Sequence, residues 1–142
     1  MEVTIIGLVR RSVACAAVVA GSVLAPAAVA SAAVTAPFQI NPAPFGNPYG
    51  SLDVPTIRCV AVVGEQPGAV RITGPNEGYW WCVLPGDVHW LNVSSGASGS
   101  ARMSAGADGR PEAVLPTGTG QVVVAVTSDA PYTPGITTVY VP

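Results

Sequence analysis

Beyond residue 50 the apolar and polar positions fall into short alternating runs separated by turn residues, the rhythm of strands and not of helices. Glycine and proline recur so often there that the longest stretch free of both is residues 121–130, ten residues reading Gln-Val-Val-Val-Ala-Val-Thr-Ser-Asp-Ala. An average helix needs about eleven or twelve residues, and this stretch is β-branched, so it predicts a strand. Alternation and punctuation together predict seven strands, near residues 52–63, 69–73, 79–84, 88–94, 100–104, 121–127 and 136–141. Turns are expected at 64–68, 74–78, 85–87, 94–99 and 105–111. Seven short strands at roughly ten-residue spacing predict an all-β domain. The expected form is a small β-sandwich of immunoglobulin-like topology, with a small β-barrel as the alternative.

The period of two along a strand also orients side chains. Ile57, Cys59, Ala61 and Val63 then share the core face, and Arg58 lies outside. If Cys82 turns inward to meet Cys59, Trp80 turns inward with it, while Tyr79 and Trp81 face out.

Residues 1–50 follow a different pattern. Arg10 and Arg11 precede an uncharged, Ala- and Val-rich run from Ser12 to Ala30, the order of a positive n-region and an apolar h-region. Ala28-Val29-Ala30 fits the small-x-small cleavage rule, which predicts a signal peptide over 1–30 and Ser31 as the first mature residue. Pro26 and the weakly apolar alanines make the run a poor membrane-spanning helix, so no span is expected in the mature form. The Arg10-Arg11 pair lacks the usual flanks of a twin-arginine signal, and the sequence does not separate that route from the general one. Residues 31–50 carry Pro37, Pro42, Pro44 and Pro48 and predict an extended, Pro-rich spacer, whose Phe38, Ile40, Phe45 and Tyr49 are expected to lie along the domain as an irregular first strand. The β domain is placed at 51–142.

Removal of the signal takes Cys15 with it and leaves two cysteines, Cys59 and Cys82. An even pair in a small exported domain predicts a disulfide. Together with the single His89, the pair falls short of the four ligands of a structural zinc, so no metal is expected.

Composition narrows the partners. After Ala30 four arginines stand against seven acids, a net charge near −3, and the chain has no lysine. Nucleic acid needs several phosphate-neutralising cations on one face, and anionic lipid a polybasic segment; neither is present. The signal's composition and the lysine-free body resemble exported proteins of high-GC Gram-positive bacteria. The Cys59/Trp80/Cys82 grouping resembles an immunoglobulin core in architecture, although these cysteines stand closer together than the usual inter-sheet bridge.

No stretch spells out a reaction. His89, beside Trp90, is the sole imidazole, and the serine-rich run 94–100 contains no Gly-x-Ser-x-Gly. A glycosidase needs two carboxylates facing across a cleft, and seven acids give many pairs, but Glu65, Glu77, Asp87, Asp108 and Asp129 sit in or beside turns, where acids ordinarily serve the turn and solubility. There is no calcium-loop run and no phosphate loop, so no cofactor is expected. Asn92-Val93-Ser94 matches the glycosylation acceptor pattern. The remaining chemistry is aromatic. Tyr79, Trp81 and Trp90 are the candidate binding residues, since exposed rings on a β domain stack on sugars or anchor proteins. The expectation is a non-catalytic binding or structural module, secreted or in the bacterial cell envelope, meeting cell-wall polysaccharide or a secreted protein. Two alternatives stand beside it: an inhibitor presenting the 75–79 turn to a hydrolase, and a small enzyme using His89.

Overall fold

The computed structural model describes residues 32–44, 57–76, 82 and 85–142. Among them the chain is all-β: β1 Val34–Pro37, β2 Ala43–Pro44, β3 Val60–Val63, β4 Val70–Thr73, β5 Gly86–Asn92, β6 Ser98–Arg102, β7 Ser104–Ala105, β8 Pro111–Leu115, β9 Gly120–Ser128, β10 Tyr132–Thr133 and β11 Gly135–Val141. Residues 1–31 and 45–56, which hold the expected signal and part of the expected spacer, lie outside the described residues, as does most of the strand expected at 79–84.

The strands form a five-stranded sheet in the order β1-β3-β4-β8-β7, a four-stranded sheet in the order β11-β9-β5-β6, and the small pair β10-β2. All pairings are antiparallel. No sheet closes into a barrel, which removes the alternative architecture. The inner faces of the two large sheets share one core. Ala61, Val63, Val70, Ile72, Ala113 and Leu115 come from the first, and Val88, Val122, Val124, Val126, Val139 and Val141 from the second. β11 along its whole length, and β9 from Gly120 to Thr127, alternate buried and more open positions, as period two requires.

β8 does not coincide with any expected strand. Its five residues, Pro-Glu-Ala-Val-Leu, read as loop because Pro111 opens it and Pro116 follows. Proline is harmless at the first position of a strand, where its missing N–H removes no ladder bond. At β3 the inward set is as the alternation predicts: Cys59, Ala61 and Val63 are in the core, Ile57 packs against it and Arg58 is exposed. The opposite face of β3 is buried too, however. Val60 and Val62 are shielded between Pro37 and Thr35 on one side and Thr73 and Arg71 on the other.

Among the described residues, two of the segments that pass between the large sheets run along sheet edges. β6 pairs with β5, the chain turns at buried Met103, and β7 then pairs with β8. At the opposite side β1 pairs with β3, and two residues past Phe38, Ile40 bridges to Ile136 of β11. Phe38, only 4% exposed, fills the core at that crossing, and its N–H donates to the Cys59 carbonyl at 3.1 Å. The segment expected as a spacer therefore belongs to the domain over residues 34–44. A disulfide joins Cys59 to Cys82, closing a loop with a sequence separation of 23. On the chain-entropy account a loop of that length contributes about 3 kcal/mol.

A single buried side chain organises one end of the molecule. Asn92, at the end of β5, is fully buried. Its amide donates to the carbonyls of Thr117 and Thr119, both at 2.9 Å, and its Oδ1 accepts from the N–H groups of Ser94 and Ser95 at 3.0 and 3.1 Å. Gly120 passes close above it, with φ +122; a Cβ there would stand 2.7 Å from that of Ser94. Only glycine fits.

Asn92→Ala is expected to cost about 2–3 kcal/mol, because at least the enclosed Thr117 carbonyl loses its partner with no water to replace it. Asn92→Asp keeps both acceptor bonds but sets a carboxylate against two carbonyls. Its destabilisation should be largest at neutral pH and shrink on acidification, as protonation restores one donor. Urea titrations of both variants at pH 7 and pH 4 measure this; equal stability of wild type and Asn92→Ala would show that the amide carries no such role.

Candidate functional site

Large apolar side chains remain on the solvent side of the four-stranded sheet. The register lays them in rows: Ile136, Ala125, His89 and Ser100 cross the four strands in one, and Thr138, Val123, Leu91 and Ser98 in the next. Ile40 extends the first row through its bridge to Ile136. Tyr140 lies one row further, beside Gln121. Tyr140 is 66% exposed, Ile40 51%, Leu91 43% and Ile136 39%. A β5 or β11 that merely covered a core would have polar residues at these outward positions.

The charged groups of this face collect at one end. Arg102 pairs with Asp129 at 2.7 Å and with Asp87 at 3.2 Å, and the Asp87 carbonyl accepts from the Thr127 hydroxyl at 3.3 Å. The rest of the face is uncharged apart from the titratable His89. His89 stands across from Ser100 and two positions from Asp87, all on the same side. No hydrogen bond joins the three, and Asp87 is engaged by Arg102. Nucleophilic catalysis requires nucleophile, base and orienting group linked in reach of a bound substrate. These three are side by side without that linkage.

The sequence-predicted aromatic residues divide. Tyr79 and Trp81 lie outside the described residues, as does Trp80. Trp90 stands on the core side of β5, half-buried, with its indole lying over the paired Gly99. A Cβ on Gly99 would come within 2.8 Å of that ring. Trp90 is thus not on the open face. The serines of the 94–100 run serve the turn: Ser94 Oγ accepts from the Gln121 N–H at 3.0 Å and Ser95 Oγ from that of Ala97 at 3.3 Å. The glycosylation acceptor is structural, since the Asn92 amide is wholly enclosed and its hydrogen bonds are spent.

A concavity of about 210 Å³ opens on the outer side of the five-stranded sheet, where Thr35, Val62, Arg71, Thr73 and Asn76 are among its lining residues. Several of its polar groups are committed within the fold. Arg71 donates through Nε and Nη2 to both Glu65 oxygens, at 2.7 and 2.5 Å, which holds the Glu65 carboxyl below its ordinary range despite partial burial. Thr73 donates to the Pro111 carbonyl at 2.9 Å, and Asn76 accepts from Arg110 at 2.9 Å. This recess offers a ligand little that is unspent, whereas the apolar face offers a flat surface ready to lose water.

No family model, no curated protein and no solved structure matches this chain. Its functional reading therefore rests on the face itself. Sequence reasoning missed Ile40, Leu91, Ile136 and Tyr140, although a signal existed. The run Val122-Val123-Val124-Ala125-Val126 does not alternate, so β9 is apolar on both sides, and one of those sides faces outward.

Trp90→Ala is expected to lower stability by about 2–4 kcal/mol, since the indole spans the gap between β5 and β6. Tyr140→Ser should change it by less than about 0.5 kcal/mol, as expected of a largely exposed side chain. Thermal melts of the two variants compare them directly, and a Tyr140→Ser variant as destabilised as Trp90→Ala would place Tyr140 in the packing and not in the open face.

Proposed function

We propose that this chain is exported, and that its domain is a non-catalytic binding module of the cell envelope or medium, engaging a protein partner through the outer face of the β11-β9-β5-β6 sheet. The row of exposed aliphatic side chains with Tyr140 carries the reading. Soluble domains rarely leave contiguous apolar surface open without a use for it. Aliphatic Ile40, Ile136, Leu91 and Val123 suit the apolar centre of a protein interface. Polysaccharide, which stacks on aromatic rings, is less well served, because Trp90 is turned to the core. The Asp87–Arg102–Asp129 group then forms a polar rim at one end.

The topology supports an immunoglobulin-like sandwich as the frame. Taking β3, β4, β5, β6, β7, β8, β9 and β11 as strands A, B, C, C′, D, E, F and G, the two orders become A-B-E-D and G-F-C-C′, the arrangement of that architecture with β1 added at one edge. Trp90 then occupies strand C on the core side, as a tryptophan does in such domains. The disulfide departs from the pattern. Cys59 precedes strand A and Cys82 falls between B and C, so it is not the inter-sheet bridge between strands B and F.

A second reading draws on one observation. Arg110 donates to Asn76 Oδ1 at 2.9 Å and to the Pro75 carbonyl at 3.4 Å, which fixes the first two residues of the turn expected at 75–79, as a hydrolase inhibitor would require at the base of a presenting loop.

Export predicts a secreted product whose intact mass begins at Ser31; a mass still including residues 1–30 argues for a retained leader. Binding is tested by immobilising the secreted product and presenting secreted proteins and cell-wall polymers in parallel. A protein captured by wild type and lost by a Leu91→Ser/Tyr140→Ser double variant, with capture unaffected by Asn76→Ala, is the expected result. Capture of cell-wall polymer instead, or loss only with Asn76→Ala, would move the function to sugar or to the turn.

A further inference from the structure

The free edges of the sheets are not alike. β1 ends in Pro37, which has no N–H to offer a neighbour. The edge of β11 is covered by Ile40, with two backbone bonds to Ile136 at 3.0 and 2.7 Å, and by Gln39, whose Oε1 accepts from the Thr138 N–H at 2.8 Å. β7 is only two residues long. β6 has none of these protections. Its five residues, Ser-Gly-Ser-Ala-Arg, pair with β5 one to one without a bulge and include no proline. Its single charge, Arg102, is folded back onto Asp87 and Asp129 of its own chain. Ser98, Gly99, Ser100 and Arg102 are exposed, so nothing among the described residues covers this edge.

The direction of its backbone groups follows from the ladder. The Asn92 N–H donates to the Ala97 carbonyl and the Met103 N–H to the Gly86 carbonyl, each at 2.8 Å. In an antiparallel pair, residues bonded to the partner alternate with residues whose groups point away. Ala97, Gly99, Ala101 and Met103 therefore bond toward β5, and the N–H and C=O groups of Ser98, Ser100 and Arg102 point to the open side. The outward set is symmetric about Ser100.

We propose that β6 pairs with β6 of a second copy of this chain, antiparallel and centred on Ser100, joining two four-stranded sheets into one of eight strands. Ser100 then faces Ser100 across a two-fold axis, and Ser98 of each copy faces Arg102 of the other. All three outward N–H groups and all three outward carbonyls on each copy are matched, and no like charges stand opposite one another. The indole of Trp90, half-buried over Gly99, extends toward this edge, and the second copy covers its rim with Ala101. A self-complementary register explains why Ser98 to Ala101 of the edge carry small, uncharged side chains, which would otherwise invite unspecific pairing. The proposal stands apart from the docking face, which the joined sheet simply doubles in width.

Sedimentation velocity of the purified protein over a range of concentrations should show a monomer–dimer equilibrium with a twofold change in mass. Ser100→Pro removes an N–H that takes no part in the β5 ladder and is expected to give a monomer at every concentration. Ser100→Lys, which leaves the backbone intact and sets two cations on the axis, should do the same and answers for any folding defect of the proline variant. Ser100→Cys should form an intermolecular disulfide under mild oxidation, and Ser98→Cys, which meets Arg102, should not. A wild type monomeric up to millimolar concentration, a dimer that persists in both the proline and lysine variants, or cross-linking at Ser98 and not at Ser100 would each overturn the proposal.

Discussion

The enclosed amide of Asn92 holds together segments that the two sheets would otherwise leave independent. It sits where β5 turns into β6, and its donors reach the chain between β8 and β9. One side chain thus links a hairpin of the four-stranded sheet to the segment by which the chain leaves the five-stranded sheet. The Gly118 N–H donates in turn to the Gly68 carbonyl at 2.9 Å, which ties in the β3–β4 turn. Inside a protein such bonds are electrostatically stronger than in water, and a missing partner costs correspondingly more. The geometry tolerates few substitutes: Gly120 must lie against Ser94, and the amide must present donors and acceptor together.

The second constraint is the sharing of segments between sheets. Small β domains face the problem that sheet edges are adhesive. Here the crossing at Met103 and the crossing at Phe38 and Ile40 use the chain itself to cover edges, and the disulfide fastens Cys59, beside the second crossing, to Cys82. The Cys59 N–H is also held by Asn41 Oδ1 at 2.9 Å. The covered side and the bare side of the four-stranded sheet then differ for a physical reason. β11 lies under the N-terminal segment, while β6 lies at the side where the crossing follows it in sequence and leaves its own edge open. The apolar outer face lies between these two boundaries, bordered at one end by the Arg102 ion pairs, which are worth little in stability but are well placed to set orientation.

Much of this was legible in the chain. Density of glycine and proline excluded helices, and alternation with turn punctuation located β4, β5, β9 and β11 within a residue or two, because local pattern and burial agree there. The pairing of Cys59 with Cys82 followed from count alone. The inward set of Cys59, Ala61 and Val63 followed from period two. Other features were obscured by composition. β8 was concealed by prolines that are harmless only at its ends, and residues 34–44 read as a spacer because four prolines within 31–50 resemble solvated chain. The site suffered most. Aromatic residues draw attention in a sequence, yet Trp90 faces inward, while the exposed Leu91, Ile136 and Tyr140 look like ordinary core residues.

What the sequence determined by itself is therefore the class of structure, the covalent bridge and the absence of a motif for any reaction, since these depend on residue type and near neighbours. The tertiary structure alone decided which face of β9 looks outward, that Asn92 is a buried joint and not a glycan acceptor, and that β6 is the unprotected edge. Each of these depends on which strands become neighbours, and strand neighbours are set by contacts between residues far apart in the chain. Ile40 against Ile136, or Asn92 against Thr117 and Thr119, leaves no local trace in the pattern of polar and apolar positions. An isolated apolar side chain reads alike whether it meets a core or a partner, and only the placement of the sheets separates the two.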